Sequence, residues 1–124
     1  MASMKKMISA YNLGALFDPK LGGDNLALID CHDWENPREY SHRELDDLGN
    51  ACARGLVGRG LVRGDAVGIL SANRAEYLIA YLGILRAGMT AVPISYRFPN
   101  ELIDFVLSDS SVKHLFCDSL RRDA

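Results

Sequence analysis

The sequence predicts an α/β protein: an N-terminal hairpin and helix, followed by a βαβαβ half of a doubly wound parallel sheet. Three observations predict it. The run Ala66-Val67-Gly68-Ile69-Leu70 is apolar without polar alternation, as a strand covered on both faces of a parallel sheet requires. Similar short runs recur at Thr90 to Ile94 and Lys113 to Cys117, with helical patterns between them. That order leaves connections long enough for right-handed crossovers between parallel neighbours. Finally, Ser41-His42-Arg43-Glu44 and Asn73-Arg74-Ala75-Glu76 both fit the capping box, in which a short polar side chain accepts the third residue's N–H and the Glu reaches back.

The hairpin is read from Leu26 to Asp30 (LALID), the polar stretch His32 to Arg38 with Asn36-Pro37, and Glu39-Tyr40. Ser41 then opens a helix expected from His42 to about Val57. Leu45, Leu48, Cys52 and Leu56 recur at steps of three and four and line one face, and Gly58 and Gly60 supply the left-handed conformations that end helices. The second helix carries Tyr77, Leu78, Ile79, Tyr81, Leu82, Ile84 and Leu85, apolar nearly all round, so it is expected to pack on more than one side before stopping at Gly88. Pro93 predicts that pairing of its strand ends near the carboxyl end. Pro99-Asn100 introduces a third helix with Leu102, Ile103, Val106 and Leu107 as its stripe. Residues 1–25 are expected to form an N-terminal arm with a short helix, and residues 26–124 a partial domain that a larger one would continue.

A chain of 124 residues with 48% hydrophobic and 24% charged content falls in the range of soluble globular proteins. Fourteen Lys and Arg against 16 Asp and Glu leave no basic excess, which argues against nucleic acid or an anionic membrane surface as partner. Cys31, Cys52 and Cys117 are odd in number and widely spaced, as reduced thiols in a cytoplasmic protein would be. The strongest apolar stretch, Tyr77 to Leu85, is far shorter than the ~20 residues of a membrane-spanning helix. Behind Lys5 and Lys6, the residues Ser9, Asn12, Gly14 and Asp18 interrupt any signal-peptide core.

Ligands of open parallel sheets bind beyond the carboxyl ends of the strands, which directs attention to Ser71-Ala72-Asn73, Ser95-Tyr96-Arg97-Phe98 and the tail after Cys117. Arg97 is the notable residue there, its planar donor fork suited to a phosphate or carboxylate, although a solvated Arg or a pair with Glu101 fits the same position. Ser71 and Asn73 read as turn and cap residues, and Tyr96 either stacks on a ring or covers the core. Gly58-Arg59-Gly60 with Gly64 follows a helix and precedes a strand, the reverse of a phosphate cradle, and no Walker-type Gly-Lys-Ser or Gly-Lys-Thr exists. Cys31-His32 are adjacent, and His114 and Cys117 make only half a zinc site, so no metal site is assigned. Ser41-His42 is accounted for by the cap, no Gly-x-Ser-x-Gly elbow is present, and Asp46-Asp47 read as a solvated face.

Several motifs in fixed order carry a resemblance. They are Tyr40 with Glu44-Leu45, Gly60 with Gly64-Asp65, Asn73 with Glu76, Ala87-Gly88, and Val92-Pro93-Ile94. Over roughly Leu26 to Cys117 the chain resembles the N-terminal part of the AMP-forming acyl-CoA synthetases, the superfamily shared with firefly luciferase and peptide-synthetase adenylation domains. The resemblance implies a truncated version of that family's large N-terminal domain. The parent enzyme would activate a carboxylic acid with Mg-ATP to an acyl-adenylate and transfer the acyl group to CoA. ATP, Mg and CoA are the implied cofactors, and Arg97 is the one residue implied to touch a ligand, the CoA phosphates. The family's phosphate loop, its Thr-Glu motif, its hinge and its C-terminal lysine are absent from these 124 residues. The expectation is therefore an N-terminal fragment with no catalytic residue of its own, inactive in isolation. The alternatives are a stand-alone nucleotide- or CoA-binding module without catalysis, or a piece that associates with a complementary partner or with itself.

Overall fold

The strand beginning at Ala66 is the apolar centre of the molecule, and the rest of the fold is arranged about it. The computed structural model describes residues 13–16 and 22–122. Its elements are a 3-10 turn at Leu13–Leu16, β1 (Leu26–Asp30), β2 (Arg38–Ser41), α1 (His42–Gly58), β3 (Ala66–Leu70), α2 (Ala75–Arg86), β4 (Thr90–Ile94), α3 (Asn100–Asp109) and β5 (His114–Cys117). The expected short helix of the N-terminal arm falls mainly outside the described residues.

β1 and β2 pair antiparallel as the predicted hairpin, with Asp30 opposite Arg38. The second sheet has the order β4-β3-β5, with both pairings parallel. β4 is an edge, which suits Pro93 because it has no N–H to donate, and its pairing ends at Ile94 opposite Leu70. Alternate residues of β3 face opposite sides. Val67 and Ile69 join Leu56 of α1 and Ala80 and Ile84 of α2 in one core. Leu70 joins Ile94 and Ile103 of α3 in the other. The two crossover helices thus lie on opposite faces of the sheet, which is the doubly wound arrangement expected from the sequence.

Ser41 and Glu44 form the predicted capping box at the start of α1, with Glu44 N–H donating to Ser41 Oγ at 3.1 Å and Ser41 N–H to Glu44 Oε2 at 2.7 Å. The expected face of α1 needs one correction. Leu48 is exposed and Gly49 is buried in its place, so the inward series runs Leu45, Gly49, Cys52, Leu56. The reason is the close approach of α2: a Cβ on Gly83 would stand 2.5 Å from Cys52 Sγ, and one on Gly49 would stand 3.4 Å from Leu82 Cβ.

Helices α1, α2 and α3 end in the same backbone motif. The residue after the C-cap adopts positive φ, at Gly60 (86°), Gly88 (72°) and Ser111 (53°). In each case the following N–H reaches back five residues, from Leu61 to Leu56, Met89 to Ile84 and Val112 to Leu107.

Arg86, in the last turn of α2, ties three segments together. Its Nε donates to the Gly14 carbonyl at 2.7 Å and its Nη1 to the Asp46 carbonyl at 2.7 Å and to Asn50 Oδ1 at 3.0 Å. Its Nη2 lies 2.9 Å from the Asp46 carboxylate. Asp46, expected on a solvated face with Asp47, is therefore half-buried in an ion pair, because the face of α1 that carries it is turned toward the end of α2.

Candidate functional site

The site follows from the way β3 and β4 hand over to their helices. After Leu70 the chain turns to α2 on one face of the sheet, and after Ile94 it turns to α3 on the other. The loops diverge and leave a crevice between the carboxyl ends of the two strands, where open α/β sheets bind ligands. It is an open cleft of about 560 Å³, a size ordinary for small-molecule sites. Ser71 and Asn73 line one side, Ser95, Tyr96 and Arg97 another, and His32 and Tyr77 complete it.

The structure thus brings Ser71, Asn73, Tyr96 and Arg97 of the sequence-predicted segments into one place. Arg97 pairs with no carboxylate among the described residues. Instead its Nε stands 3.4 Å from Tyr96 Oη and its guanidinium lies 5.7 Å from the Tyr96 ring centroid. The Tyr96 hydroxyl raises the guanidinium's affinity for its proton further, so Arg97 is a permanent cation. Neither Asp nor Glu lines the cleft.

The tail after Cys117 does something else. Asp118 is buried and accepts the Ala72 N–H at 3.1 Å and the Leu120 N–H at 2.9 Å. The Ala72 N–H chiefly holds its carboxyl below the usual range, against the effect of burial. Asp118 therefore fixes the β3–α2 loop that forms one wall.

The second predicted capping box is not formed. The cap position falls on Arg74 and makes no side-chain cap bond. Asp30, at the end of β1, caps α2 instead, accepting the Ala75 N–H at 2.9 Å and the His32 N–H at 2.8 Å. Arg38 donates to Asp30 and spans both oxygens of Glu76 at 2.9 Å, so the carboxylate expected to close the box is engaged elsewhere. Burial alone would push the Asp30 carboxyl up, but the N–H groups of Ala75 and His32 and the Arg38 guanidinium outweigh it and hold it at about 2. The Arg38 fork holds Glu76 at about 2 as well.

This clamp fixes the hairpin against the start of α2, and so places His32 at the cleft. Sequence reasoning missed that contribution. The available signal was an aspartate closing an apolar strand, LALID, where a charge is costly unless hydrogen-bonded.

Cys31, Cys52 and Cys117 are thiols rather than disulfides. Burial raises the Cys52 thiol above its ordinary value. Among the described residues no three His, Cys, Asp or Glu side chains converge as metal ligands, and no helix is long and apolar enough to cross a membrane.

The profile of the family described as "AMP-binding enzyme" matches residues 19–124. Tyrocidine synthase 1 from Brevibacillus parabrevis is 34% identical over 90 residues, covering 73% of this chain and 8% of that protein. The medium/long-chain-fatty-acid–CoA/3-oxocholest-4-en-26-oate–CoA ligase of Mycobacterium marinum is 30% identical over 108 residues, covering 86% of this chain and 19% of the ligase. The solved N-terminal subdomain of Klebsiella oxytoca NpsA, in complex with 3-hydroxyanthranilyl-AMSN, aligns with a TM-score of 0.77 at 28% identity, covering 88% of this chain and 27% of that one. The chain spans well under a third of each of these proteins. Its motif order, its doubly wound half-sheet and these matches agree, and the chain belongs to the AMP-binding family of adenylate-forming enzymes.

Proposed function

We propose that these residues form the opening part of an ATP-dependent acyl-CoA synthetase and that Arg97 meets the phosphates of CoA. In the whole reaction a carboxylic acid and Mg-ATP give an acyl-adenylate and pyrophosphate. The acyl group then passes to the CoA thiol as AMP leaves. The observation that carries the CoA reading is the carboxylate-free cleft in which Arg97 meets the Tyr96 hydroxyl and no carboxylate among the described residues. A guanidinium with no competing carboxylate is a ready partner for a phosphate. The sequence resemblance supports the same residue, because an Arg after the Pro-Ile strand touches the CoA nucleotide in some CoA ligases.

Relatives of both kinds, a peptide synthetase and a CoA ligase, match this chain, so CoA is the point to test. The 124 residues contain no Ser/Thr/Gly-rich phosphate loop ending in Lys, and on their own they are expected to bind rather than to catalyse. Three thiols fit a cytosolic setting.

Calorimetric titration of CoA into the chain tests the reading. Binding is expected, weakened about tenfold in Arg97→Ala, as for loss of a charge-assisted hydrogen bond. Unchanged affinity in the variant sinks the Arg97 assignment. Incubation with fatty or aromatic acids, ATP and CoA is expected to give no acyl-CoA and no pyrophosphate, and turnover would overturn the reading as a non-catalytic portion.

A further inference from the structure

The cleft has a wall that the CoA reading leaves unused. His32 projects from the β1–β2 connection, far from Arg97 in sequence, yet both line the same crevice with Asn73 between the strand ends. Both residues are exposed. Neither the His32 imidazole nor the Asn73 amide makes a hydrogen bond among the described residues; the one bond His32 donates comes from its backbone N–H, to Asp30. Neutral imidazole offers one N–H donor and the protonated ring two, while Asn offers two more. Three kinds of donor side chain thus line one cleft that no carboxylate lines, together with Tyr77 and Tyr96. Such walls fit a phosphoryl group attached to a flat ring system.

The backbone of His32 is held in place. Asp30, 5% exposed, binds the His32 N–H and the first turn of α2 at once, and Arg38 locks Asp30 to Glu76. The hairpin wall is therefore held by buried and bidentate contacts, the kind of support a positioned ligand contact needs.

We infer that His32 is a second ligand contact of this cleft, donating from its hairpin wall to a phosphoryl oxygen of the bound nucleotide. This rests on the reading of the cleft as the seat of CoA. The hairpin then sets ligand preference: an imidazole or carboxamide donor there favours a phosphorylated ligand, and an apolar residue does not.

The test is calorimetry on the 124-residue chain with CoA and, separately, with inorganic pyrophosphate, using wild type, Arg97→Ala, His32→Ala and His32→Gln. His32→Ala is expected to weaken CoA binding about tenfold, and His32→Gln, which keeps a donor, to restore most of it. Melting temperatures should stay at the wild-type value, because His32 is exposed and its only bond to the clamp is made by its backbone. CoA affinity unchanged in His32→Ala but lost in Arg97→Ala would overturn the role of His32 and leave the CoA reading standing. If wild type binds pyrophosphate in a His32-dependent way and does not bind CoA, the reverse holds: the contact stands and the CoA reading falls. No binding of either ligand by wild type overturns both.

Discussion

The Oδ2 of Asp30 accepts the backbone N–H of Ala75 at 2.9 Å, so the first turn of α2 is capped by a carboxylate from the end of β1. A negative group at a helix N-terminus satisfies an orphan donor and opposes the positive end of the dipole. Asp30→Asn keeps the shape and loses the charge. It is expected to lower stability by roughly 1–2 kcal/mol at neutral pH, read from urea unfolding.

The same carboxylate predicts an acid limb. Its folded-state value of about 2 lies below the ordinary 3.8, so its contribution is present above about pH 4 and is lost as pH falls through about 2. Stability of Asp30→Asn should therefore fall less steeply than wild type across that interval. A residual slope is expected from Glu76, which is also held at about 2 but is half-exposed and so contributes less. Melting curves at a series of acid pH values check the difference in slope.

Two glycines on facing helices should respond in opposite directions. A Cβ on Gly83 would meet Cys52 Sγ at 2.5 Å and the Ala53 nitrogen at 3.2 Å, so Gly83→Ala must push α1 and α2 apart and is expected to cost about 1–3 kcal/mol. Gly55, in α1, has nothing within 4 Å of that position. Gly55→Ala is expected to gain about 0.5–1 kcal/mol by restricting the unfolded chain. Paired urea titrations separate the two.

Ser111 holds φ at 53°, where α1 and α2 use glycine. The left-handed conformation costs a residue with a Cβ about 1 kcal/mol. Ser111→Gly should recover much of it as a raised melting temperature, because the motif depends on the Val112 N–H and not on the Ser111 side chain.

Leu102, expected in the stripe of α3 with Ile103, Val106 and Leu107, is 39% exposed beside Phe105 at 62%, because only the other three face the Leu70–Ile94 core, and β4 and β5 each keep an unpaired edge among the described residues. Open edges and apolar faces favour association. The isolated chain is expected to show a mass above 13.7 kDa that rises with concentration in light scattering, and Phe105→Glu to reduce it. A wild-type mass fixed at the monomer value would contradict this.

The succession of strands and helices, the helix bounds and the first cap were legible because each rests on residues close together in sequence: the unbroken apolar run of β3, the Ser41–Glu44 spacing, glycine after a helical stripe. The position of Arg97 at a strand's carboxyl end was legible for the same reason. The cap of α2 was not, since local spacing favoured Asn73 while a carboxylate 45 residues earlier had the better geometry. His32 escaped notice because a cleft wall contributed by the hairpin depends on that long-range clamp. Gly49 escaped because a helix face defined by closeness, rather than by apolar side chains, leaves no hydrophobic signature.

Arg86 serves the Leu13–Leu16 turn, α1 and α2 with one guanidinium that is 9% exposed. A four-residue turn cannot hold itself in water. Opening any one of the three segments strands polar groups of the other two, so the turn inherits the cooperativity of the helices: amides in all three should exchange with solvent through a shared opening event, instead of fraying inward from the turn.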